Sequence, residues 1–185
     1  MAIAYVDVAY DERWAAAAAV WFSRWEASGP QGFRACLSPG PMPYRPGELY
    51  LRELPAILQV LRTLPVTVRL ILVDGHVFLD GRRSPGLGAH LYQALEERKP
   101  VVGVAKSPWP GAPSIPVFRG RSLRPLWVSA AGVDPSWAAK KVALMAGKGR
   151  LPVLFRLADR LAREALQASL TYSAGTDPPP DKGRG

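Results

Sequence analysis

The run VRLILV, residues 68–73, constrains the fold more than any other stretch of the chain. Five of its six residues are branched and apolar, with no polar–apolar alternation. A strand that alternates keeps one wet face; a strand that does not must be covered on both. The chain therefore needs a sheet with a layer packed on each side. Asp74 and Gly75 follow at once. Asp-Gly is common turn chemistry, so a carboxylate ending a buried strand gains meaning only where other carboxylates converge on it.

The rest of the chain supplies the layers. Residues 2–8 read as a first strand. Residues 14–25 contain five consecutive alanines, the best helix formers. Their closeness to the first strand, the polar YDER between them and the aromatic end argue instead for an antiparallel second strand. Residues 32–37 make a third, completing a meander. SPGPMPYRPGE, 38–48, has four prolines and two glycines and must be a stiff loop. After it, Leu49, Leu54, Ile57, Leu58 and Leu61 fall at helical spacing, with Pro55 marking a kink or restart. Helices are also expected over 87–98, 136–146 and 152–170, and strands over 101–105 and 125–129. Strands first, then alternating helix and strand, give an α/β fold: a mixed central sheet with helices on both faces.

With 185 residues, 48% of them hydrophobic, the chain suits one domain, expected over 1–172. The tail 173–185, ending in TDPPPDKGRG, is expected to be disordered. A formal net charge of +9 suggests a polyanionic partner, DNA or RNA; a basic surface kept for solubility is the alternative. One cysteine, Cys36, excludes an internal disulfide and favours a reducing, cytoplasmic setting. No stretch reads as a membrane span or signal peptide, and a monomer is expected.

Asp7 lies on the first strand, Asp74 ends the fourth, and Glu53 lies early in the helix after the proline loop. Neighbouring first and fourth strands would let Asp7 and Asp74 project together, with Glu53 approaching from the helix. Three such charges repel unless a cation lies among them, and hard divalent ions take oxygen ligands. Carboxylates, a divalent metal and a basic surface together suggest phosphodiester hydrolysis. Each acid also has a structural alternative. Asp7 could be a strand polar group satisfied by backbone, Glu53 a partner of Arg52 or Arg62, and Asp74 a turn former.

The stretches VDVAYDERWAAAAAVWF, PYRPGELYLRELP, LILVDGHVFLDGRR, VGVAKS and PLWVSAAG, with RLADRLAREA near the end, resemble the endonuclease V family in content and order. The resemblance implies an RNase H-like fold and cleavage of DNA or RNA near a deaminated purine, inosine, one phosphodiester beyond its immediate 3′ neighbour. It implies Mg²⁺ or Mn²⁺ held by Asp7, Glu53 and Asp74, and a catalytic Lys106 that neutralises phosphate charge. Pro43, Tyr44, Arg45 and Pro46 match the family's wedge, Tyr44 filling the gap left by an extruded base. Gly75 would let backbone approach that base, and Arg82 and Arg83 would contact phosphates.

The chain departs from the family pattern in four places. Gly75-His76-Val77 replaces Gly-Xaa-Gly, placing a branched side chain where a small one lines the lesion pocket. Asp80-Gly81-Arg82-Arg83 replaces His-Pro-Arg-Arg. Ala130-Ala131-Gly132-Val133 replaces Ser-Xaa-Gly-His, whose histidine lies beside the metals; Asp134 is expected either to take over as a fourth ligand or to cap a helix before Pro135. The chain is also short, without the helical region that precedes the first strand and with a trimmed link from Lys106 to Val128. His76 is expected to face the cleft and His90 to be packed or half exposed on its helix. Trp109 either stacks on a base or packs on the core.

Overall fold

The computed structural model describes residues 1–40, 48 and 50–174. In chain order the elements are β1 (Ala2–Tyr10), β2 (Trp14–Phe22), β3 (Gly32–Pro39), α1 (Tyr50–Arg62), β4 (Val68–Asp74), α2 (Leu87–Ala94), β5 (Val101–Ala105), β6 (Ile115–Val117), β7 (Leu126–Ala131), α3 (Pro135–Leu144) and α4 (Val153–Ala174). Among the described residues they form a seven-stranded sheet ordered β3-β2-β1-β4-β5-β7-β6. β1, β4 and β5 run parallel, and the meander β1–β3 and the strands β7 and β6 add antiparallel neighbours on either side.

Two cores flank the sheet, as the unalternating β4 requires. Ile3, Tyr5, Leu70 and Leu72 pack against α3 and α4 through Ala138, Val142, Leu154, Phe155 and Ala158. Ala4, Val6, Ile71 and Val73 pack against α1 and α2 through Ile57, Val60, Leu87 and Leu91. The alanine run of β2 is extended despite its helix propensity. Ala15 to Ala19 are all essentially inaccessible, and α1 and α4 both contact β2, one from each core. A methyl group on each side lets both helices approach closely, and that burial overrides local preference.

Several boundaries differ from the sequence expectation. α1 passes through Pro55 without interruption, with Pro55 on its exposed face. α2 stops at Ala94 rather than residue 98, because Glu96 and Glu97 adopt positive φ, 54° and 56°. β6 was not anticipated. It contains Pro116, which a strand tolerates only at a sheet edge, where β6 lies. α4 runs to Ala174, so Ser173 and Ala174 are helical rather than tail; 175–185 lie outside the described residues. No described helix is long and apolar enough to cross a membrane.

Candidate active site

Because β1 and β4 pair in parallel with Val6 opposite Val73, Asp7 and Asp74 follow at adjacent positions. Side chains alternate along a strand, so Asp7 continues the Ile3–Tyr5 face and Asp74 the Leu70–Leu72 face, both toward α4. Glu53 arrives in the first turn of α1, from the opposite layer. Asp159 arrives on α4. All four carboxylates line one cleft of about 520 Å³, with Gly75, Tyr10 and Arg163. Gly75, at φ 136°, turns the chain away immediately after Asp74, a conformation that favours glycine.

The charges are in tension. Asp7 is buried; its Oδ1 accepts the Val8 N–H at 2.9 Å, while its Oδ2, also buried, has no hydrogen-bond partner. Burial, then the charge of Asp74, pushes the Asp7 carboxyl up to about 6, although Lys106 and the Val8 N–H pull the other way. Burial, then Asp74 and Asp7, pushes Glu53 up to about 8. Tyr5, two residues before Asp7 and stacked on Phe155 at 3.8 Å, feels the same field: burial and then Asp7, Asp74, Asp159 and Glu53 hold its phenol well above the usual range. Lys106 donates to Asp74 Oδ2 at 2.5 Å. Burial alone would lower its ammonium, but the charge and hydrogen bond of Asp74, with Asp7 and Asp159 behind, raise it overall. Lys106 is therefore a cation at any ordinary pH.

Among the described residues no group of three His, Cys, Asp or Glu side chains closes into a metal cage as it stands, and Asp74 is turned onto Lys106. The chemistry nevertheless fits a hard divalent cation. Every donor is a carboxylate oxygen, one buried oxygen has no partner, and burial with mutual repulsion makes two carboxyls hold their protons unusually well.

The structure places the other expected residues as follows. Asp134 does not line the cleft. It caps α3, its side chain accepting the Trp137 N–H at 2.7 Å. The reason is register: Asp74 pairs with Val104, whereas Ala131 pairs with Val101, three residues or roughly 10 Å toward the opposite end of β5, and the Val133–Asp134 corner lies beyond Ala131. The acid that does join the trio, Asp159, lies in RLADRLAREA, and only the packing of α4 on β1 brings it there. The sequence alone carries no signal that separates it from a solvent-facing acid on an amphipathic helix. Arg163 holds it at 2.9 Å.

Val77 does not widen or narrow the cleft; it is fully buried against Ala89 and Ala131. His76 does not face the cleft either: it is buried, with Nε2 3.0 Å from the Ser107 carbonyl. His90 is half-buried and stacked on Tyr50 at 3.5 Å. Trp109 is 45% exposed. Arg82 and Arg83 lie outside the cleft lining, in an exposed turn where Arg83, at φ 65°, covers the Phe78 ring at 4.4 Å. Pro43, Tyr44, Arg45 and Pro46 lie outside the described residues.

Comparison with known proteins bears on this arrangement. The family profile described as Endonuclease V matches residues 1–128. An Endonuclease V of Streptomyces avermitilis is 36% identical over 146 residues, 68% of this chain and 62% of that protein, so the match spans less than two thirds of the relative's length. The crystal structure of a Streptomyces avermitilis Endonuclease V superposes with a TM-score of 0.75 at 31% identity, covering 92% of this chain and 83% of that one. That of Ciona intestinalis Endonuclease V, in complex with a 24mer DNA containing an inosine followed by a ribo-adenosine, gives 0.76 at 21% identity, covering 91% and 87%. The sheet and its two helical layers are thus the α/β, RNase H-like architecture expected from the sequence.

Proposed function

Because the chain belongs to the endonuclease V family, we propose that it is a divalent-metal-dependent endonuclease that hydrolyses one phosphodiester near inosine in DNA or RNA, acting as a monomer in the cytoplasm and serving nucleic-acid repair. One observation carries the reading: Asp7 and Asp74 on adjacent parallel strands share a cleft with Glu53 from one helical layer and Asp159 from the other. Four elements distant in sequence deliver acid to one place, at a cost in repulsion that a purely structural role does not recover.

In this reading Asp7, Glu53, Asp74 and Asp159 hold Mg²⁺, with Mn²⁺ as substitute. The bound cation supplies an activated water and stabilises the leaving oxygen. The chain's own groups do the rest. Glu53, held protonated by burial and its acidic neighbours, would give up that proton to serve as a ligand. Asp7 offers its unpartnered Oδ2. Lys106, as an ammonium, would neutralise charge building on the phosphate. Gly75, without a side chain at the cleft wall, lets backbone meet the extruded base. The wedge Pro43-Tyr44-Arg45-Pro46 fills the stack behind that base, and Arg82 and Arg83 hold flanking phosphates.

The test is incubation of the protein with end-labelled duplexes carrying one inosine, in Mg²⁺ and separately in Mn²⁺, beside unmodified, single-stranded and branched controls. Cutting confined to the inosine substrate, and lost in Asp74→Asn, is the expected result. Tight binding with no cutting in either metal would overturn it.

A further inference from the structure

The chain's charge is segregated. Residues 99–158 hold ten lysines and arginines against one acid, Asp134, while the rest of the chain holds fourteen of each sign. Nine of these ten cations, all but Arg156 on α4, thus belong to β5, β6, β7, α3 and their connections. A surface kept basic only for solubility has no reason to segregate this way.

Much of this charge meets at one end of the sheet. The turn 118–125 leaves β6 after Val117 and rejoins at Leu126, which pair with each other, just beyond the pairing of Trp127 with Ala105. It therefore projects at the Lys106 end. Arg150 joins turn and lysine: its guanidinium donates to the Pro125 carbonyl at 2.8 Å and to the Lys106 carbonyl. Arg119 anchors the other limb. It is buried and donates to the carbonyls of Val142 at 3.2 Å, Met145 at 2.5 Å and Gly147 at 3.3 Å, closing the C-terminal end of α3. Gly120 follows at φ 58°, so close to Lys148 that a Cβ would collide with its carbonyl oxygen. The turn is thereby fixed against residues 145–149.

On this fixed turn Arg121 and Arg124 are exposed, and so is Lys148 across from Gly120. Phe118 is 63% exposed and Leu123 92%. An exposed ring among arginines, with the segment's one acid at the far end of α3, offers two complementary contacts. The guanidinium groups suit phosphates; the ring suits a base face. A duplex supplies phosphates but hides its base faces within the stack, whereas an unpaired strand supplies both. We infer that the ridge of Lys106, Arg150, Arg124, Arg121 and Lys148, with Phe118 on it, binds an unpaired stretch of the nucleic-acid strand leading from the cleft, a base stacking on the ring. The inference rests on the nuclease reading for the identity of its ligand.

The test uses the full chain in EDTA, so that nothing is cut, and compares a labelled single-stranded oligodeoxynucleotide with its duplex by fluorescence anisotropy across a salt series. Arg121→Ser/Arg124→Ser should weaken single-strand binding about tenfold and reduce the magnitude of the slope of log affinity against log salt by about 1.4. Phe118→Ala should weaken the single strand at least about fivefold and leave the duplex unchanged. Phe33→Ala/Arg34→Ser, an equally exposed pair on β3 at the other sheet edge, should change neither. The substituted side chains are exposed and Arg119 is kept, so matched thermal melts are expected. Unchanged single-strand affinity in the arginine variant, or equal weakening of duplex and single strand by Phe118→Ala, overturns the ridge. A parent that cuts inosine duplexes while the ridge variants bind strands normally sinks this inference alone. A parent that binds strands through the ridge but cuts nothing sinks the endonuclease reading alone.

Discussion

On one side of the seam between β4 and β5, Asp7, Glu53, Asp74 and Asp159 crowd a cleft and push two of their number toward the protonated state. On the other side, nine cations face one acid, and the cations nearest the seam are braced by backbone carbonyls through Arg119 and Arg150. The two sides touch at the Lys106–Asp74 ion pair. The difference lies in what each side lacks. The acid side is unstable to its own repulsion and gains from a small, hard cation. The basic side holds more cations than its one acid can neutralise and gains from a polyanion. A phosphodiester lying across the seam with a divalent ion satisfies both.

The comparison breaks most visibly at Asp74, the acid on the seam. Asp74→Asn should lower the cleavage rate about a thousandfold or more in either metal, measured under single-turnover conditions. A rate within about tenfold of the parent would mean that the acid side does no chemistry. Lys106→Ala, from the basic side of the same pair, should cost about a hundredfold in kcat, with part recovered in Lys106→Arg. A change confined to KM would reassign the lysine to binding alone.

The tension within the acid side can be read without any substrate. Glu53 and Asp7 bind protons more tightly folded than unfolded, at about 8 and about 6. A native state that holds extra protons loses stability as pH rises, here from about 4.5 up through about 8. Glu53→Gln should therefore stabilise the metal-free protein by about 1–3 kcal/mol near pH 9 and change little near pH 4. Mg²⁺ should raise the parent's melting temperature most at the alkaline end. Equal melting curves for parent and variant at both pH values would show that Glu53 is not under strain. The smallest effect belongs to Asp134, which lies outside both regions. Asp134→Ala should cost about 1 kcal/mol through the lost α3 cap and leave Mn²⁺ affinity and cutting unchanged. Weaker Mn²⁺ binding would return it to the metal site.

Much of this was legible in the chain itself. The unalternating Val68–Val73 run announced a strand covered on both faces, and it is. Asp7, Glu53 and Asp74 could be singled out because each stands at the end or edge of an apolar element, and the cleft contains all three. Asp159 was not legible. A carboxylate on an amphipathic helix has the same local pattern whether it faces water or a cleft, and only the path of α4 across β1 decides between them. Asp134 as a metal ligand and His76 in the cleft failed for the same reason, while the other expectation for Asp134, the α3 cap, is what the structure shows: nearness in sequence to a site says nothing about which end of a strand, or which side of a turn, a side chain occupies.

What the sequence by itself determined was the set of layers, three acids as candidates for one site, and the uneven distribution of charge along the chain. Those follow from period, composition and residue type, which are local properties. What only the tertiary structure decided was convergence: that β1 lies beside β4, that α1 and α4 reach the same cleft from opposite faces, and that Arg150 ties the basic turn to Lys106. Strand order and helix placement are fixed by burial summed over contacts distant along the chain, and no local window contains that sum.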